Sequence, residues 1–179
     1  MPFNRIVRMN ITNFHTHTYL CNHATGTPAD YVEEGKKKGC SGLGFSDHCP
    51  FPSVLKDYWP EVRMSSEQTP QYIESIKKAA LEADFPLYIG FECEWDAKVK
   101  NWYTDELKGK FGAQYLVLGS HWVTEGSRHL YIPEDPALKL FHKYTDQTIE
   151  AISTGIFSFL AHPDVCMAKN AIWNADIVV

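Results

Sequence analysis

No stretch of this sequence is apolar for long enough to cross a bilayer as a helix, which takes roughly 20 consecutive apolar residues. A membrane partner is therefore not expected. The first ten residues carry Arg5 and Arg8 and lack the apolar centre of a signal peptide. They read as an extension (residues 1–10) ahead of the fold, and the chain reads as cytoplasmic. Cysteine pairing is missing too. Cys21, Cys40, Cys49, Cys93 and Cys166 form an odd, scattered set with no Cys-x-x-Cys. That excludes a disulfide framework or a zinc finger and leaves small buried thiols as the reading. Positive charge is in deficit, with a formal net charge of −5. Broad nucleic-acid binding through a basic surface is disfavoured, and no basic groove with interleaved aromatics is visible. Bound metal ions could still make a local positive site. The chain has no internal repeat and no low-complexity segment.

What the chain does have suits one domain with a sizeable core: 179 residues, 44% hydrophobic and 22% charged. Its organising stretch is Phe14-His15-Thr16-His17, followed by His23. Side chains two apart on a strand share a face, so His15 and His17 would leave the end of a short strand together. Thr27 caps a helix over Ala29 to Lys38, with Pro28 at its first position and Gly39 at its end. Leu43 to Ser46 reads as an apolar strand closed by Asp47-His48-Cys49-Pro50.

Pro50 to Pro70 is a long polar and aromatic connection holding Tyr58 and Trp59, and connections of that length are usually functional. The clearest helix runs from Pro70 to Ala83, with Tyr72, Ile73, Ile76, Ala80 and Leu81 at helical spacing. Leu87 to Phe91 is the next strand and leads into Glu92-Cys93-Glu94-Trp95. A weak helix over Tyr103 to Phe111 precedes the strand Tyr115 to Leu118, which ends in Gly119-Ser120-His121. Pro136 to Ser153 is a long helix with Leu138, Phe141, Ile149 and Ile152 on its apolar side. Phe157 to Leu160 is a strand ending in Ala161-His162-Pro163-Asp164. Asp176 to Val179 reads as the start of another. Apolar strands that do not alternate, separated by helices, predict a parallel sheet covered by helices.

Five successive strands thus end in residues able to ligate metal: His15 and His17, then His48, Glu92, His121 and His162. In an α/β barrel the C-terminal strand ends converge on one face, where catalytic groups gather. His129 and His142 fall away from strand ends and read as surface histidines.

These segments resemble the five ordered motifs of the polymerase-and-histidinol-phosphatase (PHP) superfamily, in the form found in histidinol-phosphate phosphatases. The likeness runs from about Ile11 to Asp164. It implies a distorted (β/α)7 TIM-like barrel occupying residues 11–179, with up to three divalent transition-metal ions (zinc, iron or manganese). Carried over by motif, His15, His17 and Glu92 would bind one ion, and His23 and His48 a second. Glu92, His121 and His162 would bind a third, with Glu92 bridging. His15, His17, His48, Glu92, His121 and His162 would form the catalytic set. The implied reaction is hydrolysis of L-histidinol phosphate in histidine biosynthesis, with water activated by the ions and no serine or cysteine nucleophile. A small phosphorylated substrate is the expected partner, and Arg63 and Arg128 are the candidate phosphate clamps.

The late Asp-x-His motif of the superfamily has no counterpart after His162. This predicts a C-terminally incomplete barrel lacking its last strands, with exposed edges near Val117 and Val178 open to homo-oligomer formation. A non-catalytic metal-binding domain and a nuclease of the same superfamily are the alternatives.

Overall fold

The computed structural model of the protein describes residues 11–53, 55–134 and 138–168. The expected N-terminal extension and the strand at Asp176 to Val179 lie outside these residues.

Five strands pair in parallel in the order β1 (Ile11–Asn13), β2 (Cys40–Phe45), β3 (Leu87–Cys93), β4 (Tyr115–Leu118) and β7 (Phe159–Leu160). The expected α/β architecture is present as a partial TIM-like barrel. Between β4 and β7 the chain adds an antiparallel hairpin, β5 (Trp122–Glu125) and β6 (Arg128–Tyr131), which carries His129. β4 is paired on both sides, and Val117 is fully buried. The expected free edge near Val117 is therefore corrected: among the described residues the outermost strand on that side is β7, where Phe159 is part exposed.

Among the described residues, three α-helices and a π-helix cover the sheet. α1 (Pro28–Lys38) starts in a capping box between Thr27 and Asp30 and ends at Gly39, whose φ of +71° is left-handed. α2 (Thr69–Ala80) buries Tyr72, Ile73, Ile76 and Ala79. The weak helix is a π-helix, Trp102–Lys110, closed by a Phe111 N–H to Glu106 carbonyl bond of 2.8 Å.

α3 (Leu138–Ser153) turns a different face inward from the one expected. Phe141 is buried, but Ile149 and Ile152 are more than half exposed, while Leu140, Tyr144, Thr148 and Ala151 pack inside. Two of these are polar, and each finds a partner. Tyr144 donates to the Pro163 carbonyl at 3.1 Å, and Thr148 Oγ1 donates to Ser120 Oγ at 3.3 Å. A polar group so satisfied costs little to bury, so counting apolar residues picks the wrong stripe.

Strand alternation sorts the core into two layers. Leu43, Phe45, Phe91, Cys93, Leu116 and Leu118 face the helices in the main cluster. Phe14, Tyr88, Tyr115, Val117 and Ala161 fill the barrel side. Glu92 and Glu94 follow Tyr88 and Gly90 in step of two, which turns both carboxylates into the barrel. On that side the Tyr115 ring lies over Gly44 and Gly90. A Cβ added at Gly90 would sit 2.5 Å from two of its ring atoms.

Overpacking of that kind typically costs 1–3 kcal/mol. Gly90→Ala should therefore lower unfolding stability by about that much, measured by denaturant titration. Adding Tyr115→Ala should remove the clash, so the double variant costs less than the two single costs summed. Strict additivity would show that the ring and the glycine do not interact.

Candidate metal centre

The strand ends stand level because the register sets them so. Glu92 pairs with Val117 in β4 and bridges His48 on its other side, and Val117 pairs with Phe159 in β7. The first strand stops at Asn13, so His15 and His17 sit in the extended segment beyond it. They meet all the same, with Nε2 atoms 3.1 Å apart.

Everything converges on Glu92, which is 1% exposed. Its Oε2 lies 3.1 Å from His17 Nε2, 3.5 Å from His15 Nε2 and 3.4 Å from His48 Nδ1. Its Oε1 lies 3.0 Å from His162 Nε2 and 3.9 Å from His121 Nε2. One carboxylate thus divides five imidazoles into two groups, one at each oxygen. Burial alone would raise its pKa. Hydrogen bonds to His162 and His17, with the charges of His48 and His121, outweigh burial and hold it well below the usual carboxylate range.

The donor set fits divalent ions. His15, His17 and Glu92 offer ligand atoms all within 4.8 Å of one another, and so do Glu92, His121 and His162. The Nδ1 atoms of His15, His17 and His162 are buried without a hydrogen-bond partner among the described residues. Imidazole and carboxylate together suit zinc, iron or manganese. Burial keeps His48 well below the ordinary histidine range, against the pull of Glu92, and so in the neutral form that ligates. His23 stands beside His48, as the expected shared ion requires, and beside a second set of donors. Its ring lies 5.1 Å from that of His48, and its ligand atoms also gather with those of His17 and Cys21. His162 has a φ of +28°, a conformation L residues rarely adopt, and such strain clusters at functional sites.

Several residues outside the expected ligand set support the site. Glu94 accepts the His121 N–H at 2.9 Å, and its other oxygen lies 2.5 Å from His121 Nδ1. That leaves His121 Nε2 to face Glu92. Burial lowers the His121 pKa, but the Glu94 carboxylate overrides it and the net shift is upward. Asp47 is fully buried and takes both the backbone N–H and the hydroxyl of Thr18 at 2.5 Å, tying the first histidine segment to the second. Gly119 makes room for Glu92, since a Cβ there would lie 2.6 Å from Cγ. Trp59 rests against the rings of His48 and His121, 5.1 Å from each.

Neither arginine is brought to the cluster. Arg63 is 4% exposed and enclosed by Phe51, Tyr58 and Trp59, with Asp57 Oδ1 3.3 Å from Nε and the Cys49 carbonyl 3.4 Å from Nη1. It braces the long connection. Arg128 is exposed at the hairpin tip, opposite Glu125. His142 is on the surface as expected, but His129 is half-buried and stacks on Tyr58 with centroids 3.8 Å apart.

A family model described as the PHP domain matches residues 13–177. A Deinococcus radiodurans protein named probable histidinol-phosphatase is 30% identical over 160 residues, covering 84% of this chain and 59% of its own length. A Bacillus subtilis histidinol-phosphatase is 28% identical over 129 residues, covering 68% and 47%. The chain thus spans roughly half the length of these curated relatives. The crystal structure of a histidinol phosphate phosphatase from Lactococcus lactis, complexed with zinc, L-histidinol and phosphate, superposes with a TM-score of 0.66. It shares 17% identity over 87% of this chain and 58% of that one.

Two predictions follow from the geometry. Removing an outer partner of a metal-ligating histidine typically costs 10–100-fold in metal affinity. Glu94→Gln should weaken zinc binding by that order in a chelator competition, and Gly119→Ala should do at least as much by displacing Glu92. The other prediction concerns protons. Burial depresses His17, but Cys21 and Glu92 more than offset it and raise its pKa to about 9. The metal-free protein therefore carries a proton on His17 at pH 7 that an ion must displace. Zinc affinity should climb with pH and level off above about 9. Calorimetry in two buffers of different ionisation enthalpy should register the released proton at pH 7.

Proposed function

The chain belongs to the PHP domain family, and from that footing we propose that it is a metal-dependent phosphomonoesterase acting on L-histidinol phosphate. The products are L-histidinol and phosphate. The observation that carries this reading is the buried Glu92 carboxylate with imidazoles gathered at both oxygens. Such a group is costly to bury unless cations or strong donors meet it. His15, His17 and Glu92 would hold one divalent ion and Glu92, His121 and His162 another, with His48 and His23 beside them and up to three ions in all. When bound, ions of this kind supply Lewis acidity for phosphoryl oxygens and for activating water.

The chain's own residues do the rest. Glu92 presents one oxygen to each histidine group and fixes their separation. Glu94 holds the proton of His121 at Nδ1 and keeps Nε2 available. Trp59 covers the rings of His48 and His121, limiting access of bulk water, which strengthens every electrostatic contact beneath it. Trp59, Trp122 and Tyr131 form an aromatic patch, with pairwise centroid distances of 4.9 to 5.7 Å. That patch suits the imidazole ring of the substrate.

The test is hydrolysis of histidinol phosphate by zinc- or manganese-loaded protein, set against a generic phosphomonoester such as glycerol phosphate. The reading expects a clear preference for histidinol phosphate and a drop in kcat of at least about 100-fold in Glu92→Gln, on the scale of losing one electrostatic stabiliser. Equal rates on both esters would remove the specific substrate. Tight metal binding without hydrolysis of either would leave a non-catalytic domain, and release of nucleotides from DNA ends would point to a nuclease.

A further inference from the structure

We infer that Cys21 is a metal ligand, its Sγ joining His23 and His17 in a mixed sulfur and nitrogen site beside the Glu92-centred cluster. The inference rests on the chain binding divalent ions and not on what it hydrolyses. Cys21, His23 and His17 each bring a ligand atom to within 4.8 Å of the others. The Cys21 side chain is fully buried, His17 half-buried and His23 exposed, so an ion would enter from the His23 side. His17 spends Nε2 on Glu92 and His15, at 3.1 Å each, while its Nδ1 is buried without a hydrogen-bond partner among the described residues. That leaves Nδ1 as its donor toward the outer pair.

The loop is built to hold these groups. Thr18, locked onto Asp47, caps the single 3₁₀ turn Tyr19–Cys21, and the turn closes at Asn22 in a left-handed conformation. Asn22 in turn donates to the Arg63 carbonyl at 2.9 Å. His23 Nδ1 lies 3.1 Å from the Cys21 carbonyl oxygen, which leaves Nε2 free to ligate.

The other thiols do not share this setting. Cys49 and Cys93 belong to the helix-side core, and Cys40 and Cys166 bond to backbone carbonyls elsewhere. Tetrahedral zinc with Zn–S and Zn–N bonds of normal length needs donors about 3.5 Å apart. The donors, now up to 4.8 Å apart, therefore draw together by up to about 1.3 Å on binding. Coordination forms a metal–sulfur bond and releases to solvent the thiol proton now donated to the Thr18 carbonyl oxygen at 2.8 Å; with an inner ion already on Nε2, His17 also gives up its Nδ1 proton to solvent and bridges the two ions as an imidazolate. A thiolate among imidazoles selects zinc over manganese at this position.

Metal-free protein titrated with cobalt(II) provides the test, read by absorbance rather than activity. The wild-type chain should develop a near-ultraviolet sulfur-to-cobalt charge-transfer band. Cys21→Ser should lose that band and bind one ion fewer by elemental analysis, while Cys40→Ser and Cys166→Ser keep both. A wild-type protein that saturates with cobalt and shows no band overturns the proposal, as does a band that survives in Cys21→Ser. Should Cys21→Ser fail to fold, X-ray absorption of zinc-loaded wild-type protein decides. A sulfur neighbour at about 2.3 Å supports the site, and a shell of nitrogen and oxygen alone refutes it. A protein that shows the band and hydrolyses nothing would keep this site and lose the phosphatase reading.

Discussion

A carboxylate taken out of water must be met by positive charge or by strong donors, or it stays protonated. Glu92 is met by five imidazoles, and much of the surrounding architecture serves to place them. They arrive from four different points of the chain, so no local segment could assemble the set. Parallel pairing in register is what brings the strand ends level. It also explains why the strands are apolar on both faces: the sheet is enclosed between helices and its own barrel filling, and only the strand ends are left to carry polar chemistry.

Glycine and aromatic positions are coupled to that constraint. Gly44 and Gly90 leave the space that the Tyr115 ring occupies, and the Tyr115 hydroxyl then bonds the Phe14 carbonyl at 2.9 Å, immediately before His15. Asp47 performs a similar service from the next strand end by holding Thr18, immediately after His17. The two histidines are therefore pinned on both flanks, although the strand that introduces them is only three residues long and exposed. Short strands tolerate this because the pinning bonds come from neighbouring strands and not from the strand's own ladder.

Much of this was legible in the sequence. The helix over 28–38 announced itself through Thr27, Pro28 and Gly39, since caps are written locally. The five histidine and glutamate segments were legible because each closes an apolar run. Glu94 could have been found as well: it stands two residues from Glu92, one residue past the strand end, and strand alternation carried one step further points it to the same side. The inward stripe of α3 could not, because burying Tyr144 and Thr148 depends on acceptors at Pro163 and Ser120 that only the fold supplies. Arg63 was misleading for the same reason. An arginine in a polar connection suggests a phosphate clamp, yet three aromatic rings and Asp57 enclose it.

That enclosure has a consequence for recognition. Arg63 anchors the connection through the Cys49 carbonyl, one residue after His48, and stacks against Tyr58 and Trp59. Tyr58 in turn stacks on His129 of the hairpin, which enters directly from His121. Both walls of the aromatic patch are therefore rooted beside metal-ligand candidates, and Trp59 touches the rings of His48 and His121 themselves. A shift in either histidine must move the surface against which a substrate ring would lie. Packed aromatic contacts transmit such displacements because interiors have no slack to absorb them. Ions held by these histidines would therefore also set the shape of the aromatic surface beside them.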